Sequence, residues 1–335
     1  MKKISVIGAG SWGSALAVLL ANNGHEVMLW SHDPKEIEML TTKREQEEKL
    51  PGVKLPDNIT IEADLETSLT GRDIIVMAVP SPVVRPVAKQ MAPFIKDGQV
   101  IVNVAKGIED VTYMTLSDII EEEIPGAEVC VLSGPSHAEE VGKGIPTTVV
   151  IGAKKKEVAE MLQDTFMSKV FRVYTNPDII GIELGGALKN VIALAAGTTD
   201  GLGYGDNTKA ALMTRGIAEL TRLGVALGGK PETFSGLTGI GDLIVTCTSV
   251  HSRNRKAGYL IGKGMTADEA MKEVKMVVEG VYSAKAALGL ARKHNVEVPI
   301  VEAVNRVLFE NADPRKEVGS LLLRERRTEH SNLEW

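Results

Sequence analysis

The chain has 335 residues, 44% of them hydrophobic and 24% charged, an ordinary globular composition at a length that fits roughly two domains and excludes disorder, collagen and coiled coil. Its 38 Lys and Arg against 44 Asp and Glu leave a formal net charge of −6, so no whole-chain positive field is available to hold a polyanion, and nucleic acid is not expected as a partner. The two cysteines, Cys130 and Cys247, lack metal-ligand or redox spacing, which points to a reducing compartment, the cytoplasm, with no disulfide framework.

Met1-Lys2-Lys3 and the uncharged run to His25 have the outline of a secretory signal, but glycines and the polar Ser5, Ser11 and Ser14 interrupt that run and no small-residue cleavage site follows it. No other stretch approaches the roughly 20 continuous apolar residues of a membrane span, so the chain reads as soluble with no membrane insertion. Strands are expected at Ile4–Ile7, Glu26–Ser31, Thr60–Glu62, Asp73–Val79, Val100–Val104, Val129–Leu132, Thr147–Gly152 and Phe171–Tyr174. They alternate with capped or amphipathic segments, the pattern of a parallel sheet with crossover helices. Asp33-Pro34 reads as an N-cap with proline at the first helical position, and Lys155–Phe166 as an amphipathic helix. After Asn176-Pro177 helix signals take over, including the capping box Thr266-x-x-Glu269 and the periodic Val301, Val304, Val307 and Leu308. The expectation is therefore an α/β chain: a Rossmann-like doubly wound domain over 1–176 and an all-helical domain over 177–335. The charged run Arg324–Arg327 reads as a solvated end.

Gly8-Ala9-Gly10-Ser11-Trp12-Gly13 places G-x-G-x-x-G between the first strand and a helix, the context that gives the motif meaning. Gly8 permits the tight turn, Gly10 has no Cβ to block a pyrophosphate, and Gly13 lets helix and strand pack closely. Backbone N–H groups at the helix start face the phosphates, and Ser11 and Trp12 should touch the cofactor. An NAD enzyme usually ends its second strand with a carboxylate for the ribose 2′-OH; here the strand ends Leu29-Trp30-Ser31-His32. Serine and histidine do not repel a 2′-phosphate, and His32 is placed to donate to one. Asp33 has the spacing of a ribose ligand but equally that of a helix cap. The reading favours NADP(H), with NAD(H) tolerated.

Lys106 lies just past a strand end, in Asn103-Val104-Ala105-Lys106-Gly107, where ligands of doubly wound folds sit. It is either a group that polarises an oxygen or a solvated loop lysine. On a helix, Gly185 and Gly186 lie one turn before Lys189, and Ala193 and Ala196 lie one and two turns after it. That lane of small side chains leaves room for a ligand, and partial desolvation would lower the lysine pKa toward the range useful for proton transfer. The bland alternative is a helix crossing with a snorkelling lysine. Gly239-Ile240-Gly241-Asp242 brings a carboxylate near Thr246, as a helix cap or as a partner orienting a lysine. Ser252-Arg253-Asn254-Arg255 offers a helix start with a guanidinium, matched to a phosphate dianion, or else an exposed basic face.

Taken together, the glycine turn with Trp12, the Asn103–Gly107 loop, Ser133-Gly134-Pro135-Ser136, Leu188-Lys189-Asn190, Gly239-x-Gly241-Asp242 and Ser252-Arg253-Asn254 resemble the bacterial NAD(P)-dependent glycerol-3-phosphate dehydrogenases, in the family's order over residues 8 to 254. The similarity extends through Val277-Val278-Glu279-Gly280. The resemblance implies a helical domain like the C-terminal domain of 6-phosphogluconate dehydrogenase, a homodimer, and interconversion of dihydroxyacetone phosphate and sn-glycerol 3-phosphate for phospholipid synthesis. It also implies catalytic roles for Lys189, Lys106 and Asp242. Substrate would meet Lys106, Gly134, Ser136, Lys189, Asn190, Asp242, Ser252, Arg253 and Asn254. Cofactor would meet Gly8, Gly10, Ser11, Trp12, Gly13, His32, Lys106, Ala138, Arg253, Val277 and Glu279. No metal is called for, because two lysines already bring positive charge to the reacting oxygen. Two other readings stay open: a β-hydroxyacid or sugar-acid dehydrogenase, in which Arg253 would bind a carboxylate, and a non-catalytic NADPH-sensing protein.

Overall fold

The computed structural model describes residues 1–326, 328 and 329. Of the charged run Arg324–Arg327, Arg327 lies outside the described residues. All of the expected strands are present: β1 (Lys3–Ile7), β2 (Glu26–Trp30), β3 (Ile59–Glu62), β4 (Ile74–Met77), β5 (Val100–Asn103), β6 (Glu128–Ser133), β7 (Thr147–Gly152) and β8 (Phe171–Asn176). They form one sheet in the order β3-β2-β1-β4-β5-β6-β7-β8. β1 lies between β2 and β4, so the chain reverses its direction of winding beside β1, and a crevice opens at the carboxyl ends of those strands.

The expectation of a parallel sheet needs one correction, because β7 runs antiparallel to β6. The intervening segment carries only the five-residue helix Ala138–Gly142, about 7.5 Å long. A six-residue strand spans about 20 Å, so this helix cannot return the chain along it, as a parallel crossover requires. Helix Lys156–Phe166 is long enough, and β8 is parallel to β7.

Both sheet faces are covered. Leu16 and Leu20 of helix Ser11–Asn22 join Leu162 and Phe166 on one side. Val84, Ala88 and Met91 join Ile119 and Ile120 on the other. This burial is why β4 reads as an unbroken apolar run rather than an alternating one. Asp33 does cap its helix, accepting from Lys35 N at 2.9 Å, and the Thr266–Glu269 capping box forms in full.

Beyond β8, every named element among the described residues is a helix. The centre is Ile179–Gly201, capped by Asp178, which accepts from Gly181 N at 3.0 Å. Helices Asp206–Ala226, Arg253–Gly262 and Glu279–Lys293 pack around it. A Cβ on Gly258 would lie 2.0 Å from Leu194 O, and one on Gly197 2.0 Å from Arg255 O, so helix Arg253–Gly262 crosses the central helix backbone to backbone. The central helix also corrects the expectation that no stretch approaches a membrane span. Its most apolar 18-residue window has mean hydropathy 1.6, enough by length and composition, but 89% of that window is buried inside the protein. Core burial on all sides makes a helix apolar all round.

Candidate active site

A cleft of about 1030 Å³ runs from the glycine turn, along the carboxyl ends of the strands, to the central helix. At its β1 end Gly8 adopts φ +112°, a conformation side chains rarely take, and a Cβ on Gly13 would lie 1.9 Å from Gly8 O. Only glycine allows this turn and this helix–strand approach. A Cβ on Gly10, by contrast, would meet nothing within 4 Å. It would project into open space at the start of helix Ser11–Asn22, whose first turn carries no side-chain cap. Open room in front of uncapped N–H groups is what a dinucleotide pyrophosphate requires, so these residues fit a nicotinamide cofactor.

At the next strand end the side chains are more committed than the sequence suggests. Ser31 Oγ donates to Glu36 Oε2. The other oxygen of Glu36 accepts from Gln46 Nε2 and Lys49 Nζ, each at 2.6 Å. Asp33 is occupied as a cap, while His32, Glu36 and Lys49 all line the cleft. A carboxylate thus does stand near the expected ribose position, supplied by the following helix and paired with a lysine.

The far end of the cleft holds three charged groups drawn from three segments. Asp242, 1% exposed, accepts from Lys189 Nζ on Oδ1 at 2.8 Å and from Lys106 Nζ on Oδ2 at 2.7 Å. Lys189 also donates to Thr246 Oγ1 at 2.5 Å, and Thr246 in turn donates to Asp242 O at 2.6 Å. Lys106 donates further to Gly134 O at 2.9 Å, which Ser136 Oγ shares at 3.0 Å. Burial lowers the Lys189 pKa to about 8, and Lys106 adds to that lowering while Asp242 opposes it. Burial alone would raise the Asp242 pKa, yet the two ammonium groups hold it below the usual carboxylate value. Asp242 is therefore the shared partner of both lysines and not a helix cap.

The small lane beside Lys189 is not open to a ligand as expected. A Cβ on Gly185 would lie 3.0 Å from Thr238 O, and one on Gly186 would lie 2.9 Å from Ser133 Oγ and 3.5 Å from Lys106 Cγ. Ala193 and Ala196 are fully buried. The lane lets Lys106 and neighbouring backbone close on the central helix, and the cleft reaches Lys189 from its side-chain end.

Ser252 caps its helix, accepting from Arg255 N at 3.2 Å, and Arg253 at the first helical position lines the cleft. Asn254 Nδ2 donates to Asn190 Oδ1 at 2.9 Å, and its Oδ1 accepts from Gly280 N at 2.8 Å, so both asparagines lie in a bridge between helices. Glu279 accepts from Ser81 through both its hydroxyl and its N–H, and burial raises its pKa. Ser11, Trp12, Ser136, Ala138 and Val277 line the cleft as well. Gly134 reaches it through its carbonyl contact to Lys106. Sequence reasoning missed Glu36, Lys49 and His137, all of which line the cleft. Burial lowers the His137 pKa, as do Lys189 and Lys106 nearby. A histidine directly after Ser136 and a carboxylate in the first turn after Asp33 were the available signals.

Two family models match the chain: the NAD-dependent glycerol-3-phosphate dehydrogenase N-terminus over residues 3–159 and the corresponding C-terminus over 178–319. A glycerol-3-phosphate dehydrogenase [NAD(P)+] of Agathobacter rectalis is 64% identical over 335 residues, covering 100% of both chains. One from Fusobacterium nucleatum is 60% identical over 331 residues, covering 98% of this chain and 99% of that one. The crystal structure of glycerol-3-phosphate dehydrogenase from Coxiella burnetii superposes with a TM-score of 0.93 at 38% identity, over 96% of this chain and 99% of that one.

Proposed function

Since the chain belongs to the NAD-dependent glycerol-3-phosphate dehydrogenase family, we propose that its chemistry runs on Lys189 as general acid and base, Lys106 as the cation at the reacting oxygen, and Asp242 as the group that holds both. The reaction is the reversible, NAD(P)-dependent interconversion of sn-glycerol 3-phosphate and dihydroxyacetone phosphate, whose reduction supplies glycerol 3-phosphate for phospholipid synthesis. A bound nicotinamide cofactor supplies the hydride to C2 in reduction and receives it in oxidation. In reduction the Lys189 ammonium protonates the oxygen developing on C2; in oxidation the neutral amine takes the C2 hydroxyl proton. Lys106 offers that oxygen a second N–H donor and a full positive charge. Arg253, at the start of a helix capped by Ser252, binds the phosphate with Asn254, and Gly134, Ser136 and Asn190 complete the substrate contacts.

The observation that carries this reading is the single carboxylate of Asp242 bridging the two lysine ammonium groups at 2.7 and 2.8 Å on the wall of the cleft. Lys189→Ala should lower turnover by about 10²–10⁴ with NADPH affinity nearly intact, followed by NADPH absorbance after adding dihydroxyacetone phosphate. Wild-type turnover in that variant would remove Lys189 from the chemistry.

NADP(H) is the preferred cofactor in this reading, because Lys49 cancels the Glu36 charge and leaves His32 as a donor at the same strand end. The division into a cofactor domain over 1–176 and a substrate domain over 177–335 follows the gap between β8 and the central helix. We place the enzyme in the cytoplasm as a homodimer. Ile240 and Ile244, both more than two-fifths exposed and one helical turn apart, offer an apolar face for a second copy. Light scattering of the purified chain tests that last point, and a monomer mass would refute it.

A further inference from the structure

We propose that Glu183 is a positioning residue for Lys106: from the helix that carries Lys189, it grips the loop that delivers Lys106 and so fixes the spacing of the two lysines. The inference rests on the catalytic reading above and extends it to a group with no place in the proton transfer.

Glu183 is 7% exposed on the central helix, six residues before Lys189. Its Oε1 accepts from Asn103 Nδ2 at 3.2 Å and from Ser117 N at 2.9 Å, and its Oε2 accepts from Ser117 Oγ. Asn103 ends β5 and is itself tied to the turn that follows. Its Oδ1 accepts from Ala105 N at 3.1 Å, and its Nδ2 donates to Ala105 O at 3.3 Å. The next residue is Lys106. Between Glu183 and Lys189 on the helix, Gly186 leaves the gap in which the Lys106 stem lies. The path Glu183–Asn103–Ala105–Lys106–Asp242–Lys189 closes a ring in which each link but the chain itself is a hydrogen bond.

The energetics argue that this carboxylate does more than hold the parts together. No Lys, Arg or His pairs with Glu183 among the described residues, and burial pushes its pKa up to about 7 against the opposing hydrogen bonds from Ser117 and Thr115. A buried charge without a counterion is a poor source of stability, and an apolar side chain of similar volume often serves as well. A glutamate returns something an apolar residue cannot: three convergent donors held in one geometry, one from Asn103 before the Lys106 loop and two from Ser117 after it.

Glu183→Gln keeps the shape but presents N–H to a cluster of donors. It should lower kcat/KM for dihydroxyacetone phosphate at least tenfold, and the loss should vanish in a Lys106→Ala background, where there is no ammonium left to position. Glu219→Gln, a change at a comparably buried carboxylate away from the cleft, should stay within twofold of wild type. Should Glu183→Gln fail to fold, Asn103→Ala cuts the same link from its other end and must show the same background dependence. An equal fold-loss in both backgrounds, or no loss in the wild-type background, overturns the proposal. Wild-type activity of Lys106→Ala alone would instead refute the catalytic reading on which it rests.

Discussion

The two lysines on one carboxylate make a quantitative demand on the pH profile. Lys106 and Lys189 contact the two oxygens of Asp242 at 2.7 and 2.8 Å, so their nitrogens are at most about 8 Å apart. Two unit charges at that distance interact by roughly 2 kcal/mol at an effective dielectric near 20. With about 1.4 kcal/mol per pH unit, Lys106→Met should move the Lys189 titration upward by on the order of one pH unit. Asp242→Asn should move it downward, because the carboxylate favours the ammonium form. In the wild type, kcat/KM for glycerol 3-phosphate oxidation requires the neutral amine and should rise with pH through an inflection near 8. For dihydroxyacetone phosphate reduction it requires the ammonium and should fall through the same point, since kcat/KM reports the free enzyme. Steady-state profiles for both directions in the three proteins give the answer. An inflection that stays in place in both variants would mean that Lys189 is not the titrating group, and the assignment would fail.

Arg253→Ala should chiefly raise KM for dihydroxyacetone phosphate, and an unchanged KM would remove Arg253 from the phosphate site. Lys49→Ala strips the cation from Glu36 and leaves a carboxylate near the 2′-phosphate position. The ratio of kcat/KM for NADPH to that for NADH should fall about tenfold, the effect of roughly 1.4 kcal/mol; a constant ratio refutes the placement of the 2′-phosphate there. Burial raises the Glu219 pKa to about 7, opposed by hydrogen bonds from Ile300 N and Val301 N and by Arg222 and Arg324. A folded-state pKa above the unfolded one means that the native state binds more protons between about 4.5 and 7, so this group's contribution to stability is lost as pH rises through that window. Melting temperatures of Glu219→Gln should therefore decline less than wild type between pH 5 and 8, and parallel declines would contradict the assignment.

The strands, the glycine turn and the change to helix after Asn176 were legible because each depends on local pattern: β-branched runs, caps and glycines whose need is set by nearby backbone. Lys189 and Asp242 were legible for a related reason, since both stand in small-residue surroundings that ordinary surface charges do not require. Other features depend on contacts between distant residues. The lane around Lys189 looks the same in sequence whether a ligand or a neighbouring backbone fills it, and here Thr238, Ser133 and Lys106 fill it. The reversal of β7 turns on the length of one short helix whose ends were not marked. Glu36 reaches Lys49 across 13 residues and Glu183 reaches Asn103 across 80. Glu183 did carry a signal, as a carboxylate in the apolar first turns of the central helix, where burial predicts a dedicated set of donors.

The charge balance of the site adds a final step. Two ammonium groups and one carboxylate leave an excess of one positive charge beside the reacting oxygen, with Arg253 on the same cleft wall. Substrate brings a phosphate dianion to that wall and displaces water, both of which strengthen the coupling of Lys189 to negative charge. Occupancy should thus favour the ammonium form, raising the Lys189 pKa above its value of about 8 in the empty cleft. The inflection in kcat, which reports the bound complex, should accordingly lie above that in kcat/KM for the reduction of dihydroxyacetone phosphate. An inflection in kcat at lower pH would show that burial by substrate outweighs its charge. Lys189 would then act from a drier and less anionic pocket than the Asp242 bridge implies.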